Sequence, residues 1–217
     1  MQKTITALTI QKKNPNRVNI FLDGEFSFGV YVINAGKLRV GQLISEEMIT
    51  GLKKIDQIED GFQKALRFIS YKPRTMSEVE KKLNDYDFDE DIISDVLKMV
   101  VEKGYVNDLQ YAKNWVENRS IYKPRSKKLI TWELKNKQIS EDIISEATGD
   151  LVPEDKLASL AAEKYARRLS GYEKEIFIRR LSGYLIRRGF SFSTVKTTVQ
   201  TTWENLRQQI YENSNGK

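Results

Sequence analysis

The chain has 217 residues, with 36 basic and 30 acidic side chains, a net charge of +6, and neither cysteine nor histidine. The missing cysteines exclude disulfides and thiolate metal sites, and the missing histidines exclude the commonest general base, the commonest nitrogen ligand and any Ser–His–Asp triad. No apolar run approaches the roughly 20 residues of a membrane span, and the N-terminal MQKTITALTIQKKNPNR lacks the sustained apolar stretch of a secretion signal. A soluble cytoplasmic protein is expected.

Charge is unevenly placed. Residues 1–54 carry net +4, residues 55–108 net −5, residues 109–155 net 0 and residues 156–217 net +7. Such polarity suits a polyanion at the C-terminal end, and equally a solvated surface with scattered charge.

In chain order, TITALTIQ reads as a strand joined by the turn-rich KKNPN to a second, in which Val18, Ile20 and Leu22 alternate with polar residues. Asp23-Gly24 then signals a type I′ hairpin, because both central positions of that turn need positive φ. Phe26, Phe28, Val30 and Val32 continue the alternation on a third strand. Ser45, followed by Glu46 and Glu47, predicts the N-cap of a short helix ending near Lys54. Residues 1–55 are therefore expected to form a three-stranded sheet with a small helix.

From Gln57 the apolar spacing becomes helical. Phe62, Ala65, Leu66 and Ile69 share one face, Pro73 stops the helix, and Ser77 with Glu80 resembles a capping box. Asp89 predicts the cap of a third helix with Ile92, Ile93, Val96, Leu97 and Val100 inward, closed by Gly104 as the C′ residue. A shift of 51 aligns Tyr71–Ser94 on Tyr122–Ser145 with 10 of 24 positions identical, including YKPR in both copies. A second shift brings Leu185, Phe190, Ser191 and Val195 onto Leu83, Phe88, Asp89 and Ile93. The chain is thus expected to be mainly α: three tandem three-helix repeats of period about 51, over residues 56–108, 109–155 and 156–210, forming an elongated curved array behind the β-rich region. Residues 211–217 are expected to be a disordered tail.

YKPR is absent from the third copy, where Glu173–Ile176 stands in its place. The motif can therefore serve contact, or it can fix a helix–helix connection. The acidic DYDFDEDIISD segment (Asp85, Asp87, Asp89, Glu90, Asp91, Asp95) is read as helix-start capping rather than a metal site, since the central Gly and final Glu of an EF-hand are missing. There is no phosphate loop, no GxGxxG and no nucleophile elbow, so no enzyme activity, metal or cofactor is expected. The candidate contact residues are the cations of the two YKPR segments and of three Arg-Arg pairs: Lys72, Arg74, Lys123, Arg125, Lys127, Lys128, Arg167, Arg168, Arg179, Arg180, Arg187 and Arg188. Guanidinium groups at these spacings suit phosphates or acidic side chains equally. The interleaved Tyr71, Tyr122, Tyr172 and Tyr184 suit base stacking, or ordinary helix packing.

SEVEKKL, then IISDVLKMVVEKGYVNDLQYAKNWVENRS and LITWELKNKQIS, together resemble the RecX family of bacterial recombination regulators. That family has a serine-capped EL..KL helix, a GY.DD..YA junction and a later EL..KGI helix. Here Asn107 replaces an Asp, and Gln138 stands where the usual Gly falls. The resemblance covers residues 57–205 and implies tandem three-helix repeats and binding without catalysis. It implies RecA and its single-stranded-DNA filament as partners, with limits on filament extension, strand exchange and co-protease activity, and direct DNA binding in some members. A monomer with no membrane partner is expected.

Overall fold

The computed structural model describes residues 2–215, apart from the side chains of 210 and 213–215, and these fall into two compact units meeting at Asn107/Asp108.

The first unit opens with strands β1 (Gln2–Gln11), β2 (Asn14–Leu22) and β3 (Glu25–Tyr31), a short helix α1 (Val32–Ala35) and strand β4 (Leu43–Ser45). The sheet is antiparallel, in the order β3-β2-β1-β4. It has four strands where three were expected, because the three-residue β4 is too short to show a period. The hairpin forms as predicted, with Asp23 and Gly24 at φ 51° and 94°. Val18, Ile20, Leu22, Phe28 and Val30 are buried in one cluster with Ile44 of β4 and Ile49. Phe26 breaks the alternation: a register shift between Ile20 and Phe21 turns it to solvent, where its ring meets Phe21 edge-on. Val32 has left the strand for α1 and is exposed.

Helix α2 (Glu46–Ser70) is capped by Ser45, whose hydroxyl accepts from the Met48 amide at 3.2 Å. It corrects two expectations together. The short helix ending near Lys54 and the helix beginning after Gln57 are one 25-residue helix, so the expected boundary at residue 55 lies inside it. Its first half covers the sheet through Ile49 and its second half supplies Phe62 and Ala65 to the next core. Between them Asp56 accepts from Arg17 Nη2 at 2.5 Å and from the Tyr31 amide at 2.7 Å, tying helix to sheet. Helices α3 (Met76–Asn84) and α4 (Glu90–Glu102) complete the first repeat around Val79, Leu83, Ile93, Val96 and Val100. The capping box is built by Thr75 and Glu78, two residues before the predicted Ser77 and Glu80. Asp89 stands at the N-cap of α4 without a side-chain capping bond. Gly104, at φ 73°, closes α4 as expected.

The second unit holds α5 (Asp108–Glu117), a π-helical turn (Asn118–Tyr122), α6 (Lys127–Lys135) and α7 (Glu141–Ala147), then α8 (Glu154–Ala166), a 3₁₀ turn (Arg167–Leu169), α9 (Lys174–Ile186) and α10 (Phe192–Asn215). Ile130, Leu134 and Ile144 centre the first three helices, and Leu157, Phe177, Leu181 and Leu185 the last three, with Leu151 packed against both groups. The 51-residue period survives at the backbone. Helices α3, α6 and α9 end at 84, 135 and 186, and α4, α7 and α10 begin at 90, 141 and 192. Between each pair one residue takes positive φ: Asp87 at 58°, Gln138 at 57° and Gly189 at 82°. Gln138 therefore keeps the left-handed turn without the glycine. Helix α10 runs through Asn215, so the tail expected from 211 is helical up to that point; residues 216 and 217 lie outside the described residues.

Candidate partner-binding surfaces

The two YKPR segments occupy the same station, the link between the first and second helix of a repeat. In the first, Tyr71 is the C-cap of α2 and Thr75 the N-cap of α3. The Arg74 guanidinium lies 3.8 Å from the centre of the Phe68 ring, and its Nε is buried. Tyr71 and Lys72 point outward.

In the second, the π turn widens the end of α5, so that the Arg125 amide donates to the Arg119 carbonyl at 2.9 Å. This brings two guanidinium groups and an indole N–H around one carboxylate. Glu133 Oε2 accepts from Trp115 Nε1 at 2.7 Å and from Arg119 Nε at 2.9 Å, and Glu133 Oε1 pairs with Arg125 Nη1. Arg119 also lies 4.4 Å from the centre of the Trp115 ring. Arg188 closes the group from the third repeat: its Nη1 donates to the Pro124 carbonyl at 2.9 Å, and its own carbonyl accepts from the Ser126 amide at 3.0 Å. It lies over Tyr184, which in turn stacks on Tyr165 with centroids 4.1 Å apart. Burial holds the Arg125 guanidinium below its ordinary range, and repulsion from Arg119 and Arg188 adds to it.

The structure thus brings together two of the predicted contact residues, Arg125 and Arg188, and gives both to the joint between repeats. Trp115, Arg119 and Glu133 were missed. Their one sequence signal is the Trp-x-x-x-Arg spacing, which places ring and guanidinium on one helical face.

The other predicted cations are exposed except Arg74. Lys127 and Lys128 sit in the first turn of α6, where positive charge opposes the helix dipole, so they cost rather than stabilise there. Arg167 and Arg168 lie on the 3₁₀ turn, and Arg179 on α9. Arg180 lies 4.4 Å from the Tyr172 ring centre and donates to its hydroxyl at 3.3 Å, while Arg187 is the C-cap of α9. In the third repeat α9 begins a turn early, so that Glu173, its N-cap, stands at the first position of the missing YKPR.

The acidic segment scatters its charges. Asp85, Asp91 and Asp95 pair with Lys82, Lys54 and Lys98, and among the described residues no carboxylate group is placed to hold a metal. No described helix is long and apolar enough to cross a membrane.

Comparison with known proteins adds the lineage. The model of the regulatory protein RecX N-terminal domain matches residues 3–45, and those of the first, second and third RecX three-helix domains match 62–98, 107–147 and 154–199. The regulatory protein RecX of Leuconostoc mesenteroides is 32% identical over 91% of this chain and 75% of its own length. That of Bacillus subtilis is 30% identical over 93% and 78%. A crystal structure of regulatory protein RecX superposes with a TM-score of 0.70 at 27% identity, covering 90% of this chain and 98% of the other. RecX from Lactobacillus salivarius gives 0.56 at 30% identity over 68% and 97%. With its N-terminal sheet and all three helical domains matched in order, the chain belongs to the RecX family of regulatory proteins.

Proposed function

We propose that this chain is a cytoplasmic, non-catalytic modulator of the RecA recombinase. It binds the RecA filament on single-stranded DNA and inhibits it, limiting filament extension, strand exchange and co-protease activity. The observation that carries the reading is family membership along nearly the whole chain, sheet and helical domains alike. The exposed Lys72, Lys123, Lys127, Lys128, Arg167, Arg168, Arg179, Arg180 and Arg187 supply the contacts, and Arg74, Arg125 and Arg188 act through the frame that holds them. The test is light scattering and ATPase turnover of RecA on single-stranded DNA with substoichiometric protein added. Slowed assembly and reduced turnover are expected, and unchanged assembly and turnover would remove the reading.

A second reading, a stand-alone nucleic-acid-binding module, is favoured by Lys127 and Lys128, whose charges oppose the α6 dipole. It requires tight binding to naked single strands, with a salt slope of about −0.7 per phosphate neutralised. Charge reversal at Arg179, Arg180 and Arg187 separates the two. Loss of DNA binding with RecA binding intact favours the module.

A further inference from the structure

We propose that Tyr71–Lys72 and Tyr122–Lys123 are two copies of one contact element, and that they grip equivalent places on neighbouring subunits of a protein partner built from identical copies. This rests on the filament reading above and names the surface that serves it.

The inference starts from what the two repeats still share. Leu83 and Leu134, and Ile93 and Ile144, are buried core residues. Arg74 and Arg125 turn inward, each with a buried Nε. Glu90 with Asp91, and Glu141 with Asp142, occupy first helical turns, where anionic side chains favour the dipole. Ser94 and Ser145 are exposed but carry neither ring nor charge. The doublet is left without a structural task. Tyr71 is 79% exposed and Tyr122 66%, both lysines are exposed, and among the described residues none of the four side chains enters a hydrogen bond, ion pair or ring contact. A large ring held in water at the same station of two diverged repeats is a contact group, because tyrosine offers wide amphipathic area at low entropic cost.

The backbone beneath is already fixed. Lys72 donates its amide to the Ile69 carbonyl at 3.2 Å, and Lys123 donates to Asn118 at 3.1 Å. Little backbone ordering remains to be done on binding. The sign of the surroundings selects a protein over a nucleic acid. The first doublet stands in the stretch of net −5 (residues 55–108), which repels phosphates, whereas the second stands in a neutral one (residues 109–155). A ring pocket with one acidic group beside it suits both copies. A partner repeating that pocket explains why the doublet is present twice; in the third repeat its two positions fall on Glu173 and Lys174, where α9 begins.

The test uses the full chain with Tyr71→Ala, Tyr122→Ala and both together, with Lys72→Glu and Lys123→Glu as a second set. Binding is measured to RecA assembled on poly(dT) and to RecA without DNA or nucleotide. On filaments each single tyrosine change should weaken binding about tenfold and the double about a hundredfold, the range of hot-spot residues. On unassembled RecA the doublets are alternatives. Either single change should cost only about twofold there, and the double should abolish binding. Thermal unfolding should move little, because both rings are mostly exposed. Variants that match the wild type on filaments overturn the proposal, as does a loss confined to naked single strands, which would assign the doublets to nucleic acid. Failure of the wild-type chain itself to bind filaments removes the filament reading, and this one with it.

Discussion

Glu133 is the place in the second unit where losing one charge should hurt most. Its side chain is 10% exposed and faces Arg119 at 16% and Arg125 at 30%, with the indole Nε1 of Trp115 as a third donor. Arg188 adds a third positive charge, which acts on Arg125. Removing the lone partner of a buried pair costs about 3–5 kcal/mol. The partial exposure of Arg125 lowers this, so Glu133→Gln, which keeps size and one acceptor, should cost about 2–4 kcal/mol. Arg125→Met also breaks a pair, yet it relieves the repulsion from Arg119 and Arg188 and keeps the apolar stem. It should cost no more than about 1 kcal/mol. The asymmetry is the signature. Two compact units need not unfold together, so the measurement is native-state hydrogen exchange at the Ile130 and Leu134 amides of α6. If Arg125→Met costs as much as Glu133→Gln, charge imbalance is not what shapes this joint.

Two further outcomes concern the same unit. A Cβ added at Gly189 would fall 2.6 Å from Ser126 Oγ and 2.7 Å from Leu129 Cβ, on a backbone at φ 82°. Gly189→Ala should therefore cost about 2–4 kcal/mol, from left-handed strain plus overpacking, read as faster exchange in α6 and α9. The Glu141 carboxyl is held below its ordinary value by the hydrogen bond and charge of Lys135, 2.5 Å away. A depressed folded-state pKa contributes stability present above the unfolded carboxylate value and lost as pH falls through the folded one. An NMR titration should place the Glu141 midpoint below the ordinary glutamate value, and Lys135→Ala should raise it.

The repeat was legible because it is written twice: in letters shared at a spacing of 51, and in the apolar periods of helices that pack the same way. The hairpin was legible because only certain residues tolerate the φ values of Asp23 and Gly24. What failed was boundary reading. Nothing between Lys54 and Gln57 breaks a helix, and the change of partner from sheet to repeat core along α2 was mistaken for a change of element. Ser77 lost to Thr75 because a cap is chosen by where the chain enters the helix, and Ser126, 51 residues on, shows the same entry point. Within the candidate surface, residue type was read correctly and direction was not. Sequence shows that Arg125 and Arg188 are cationic, but their inward turn depends on Glu133, Pro124 and Tyr184, which meet them only in the fold.

That division has a consequence for how the repeats share the work of binding. In the first two, the inward arginine anchors a loop whose tip carries a ring and a single ammonium, which on the reading proposed above is short-range chemistry that governs how slowly a partner leaves. In the third, α9 begins where the YKPR segment would stand, and the exposed arginines lie on helix surfaces and the 3₁₀ turn within a stretch of net +7. Charges spread over such a surface act at a distance and lose force with salt, so they govern encounter more than residence. On the proposed reading, the extra helical turn in α9 exchanges a gripping doublet for an attracting face, so that repeats of one build serve two stages of a single association.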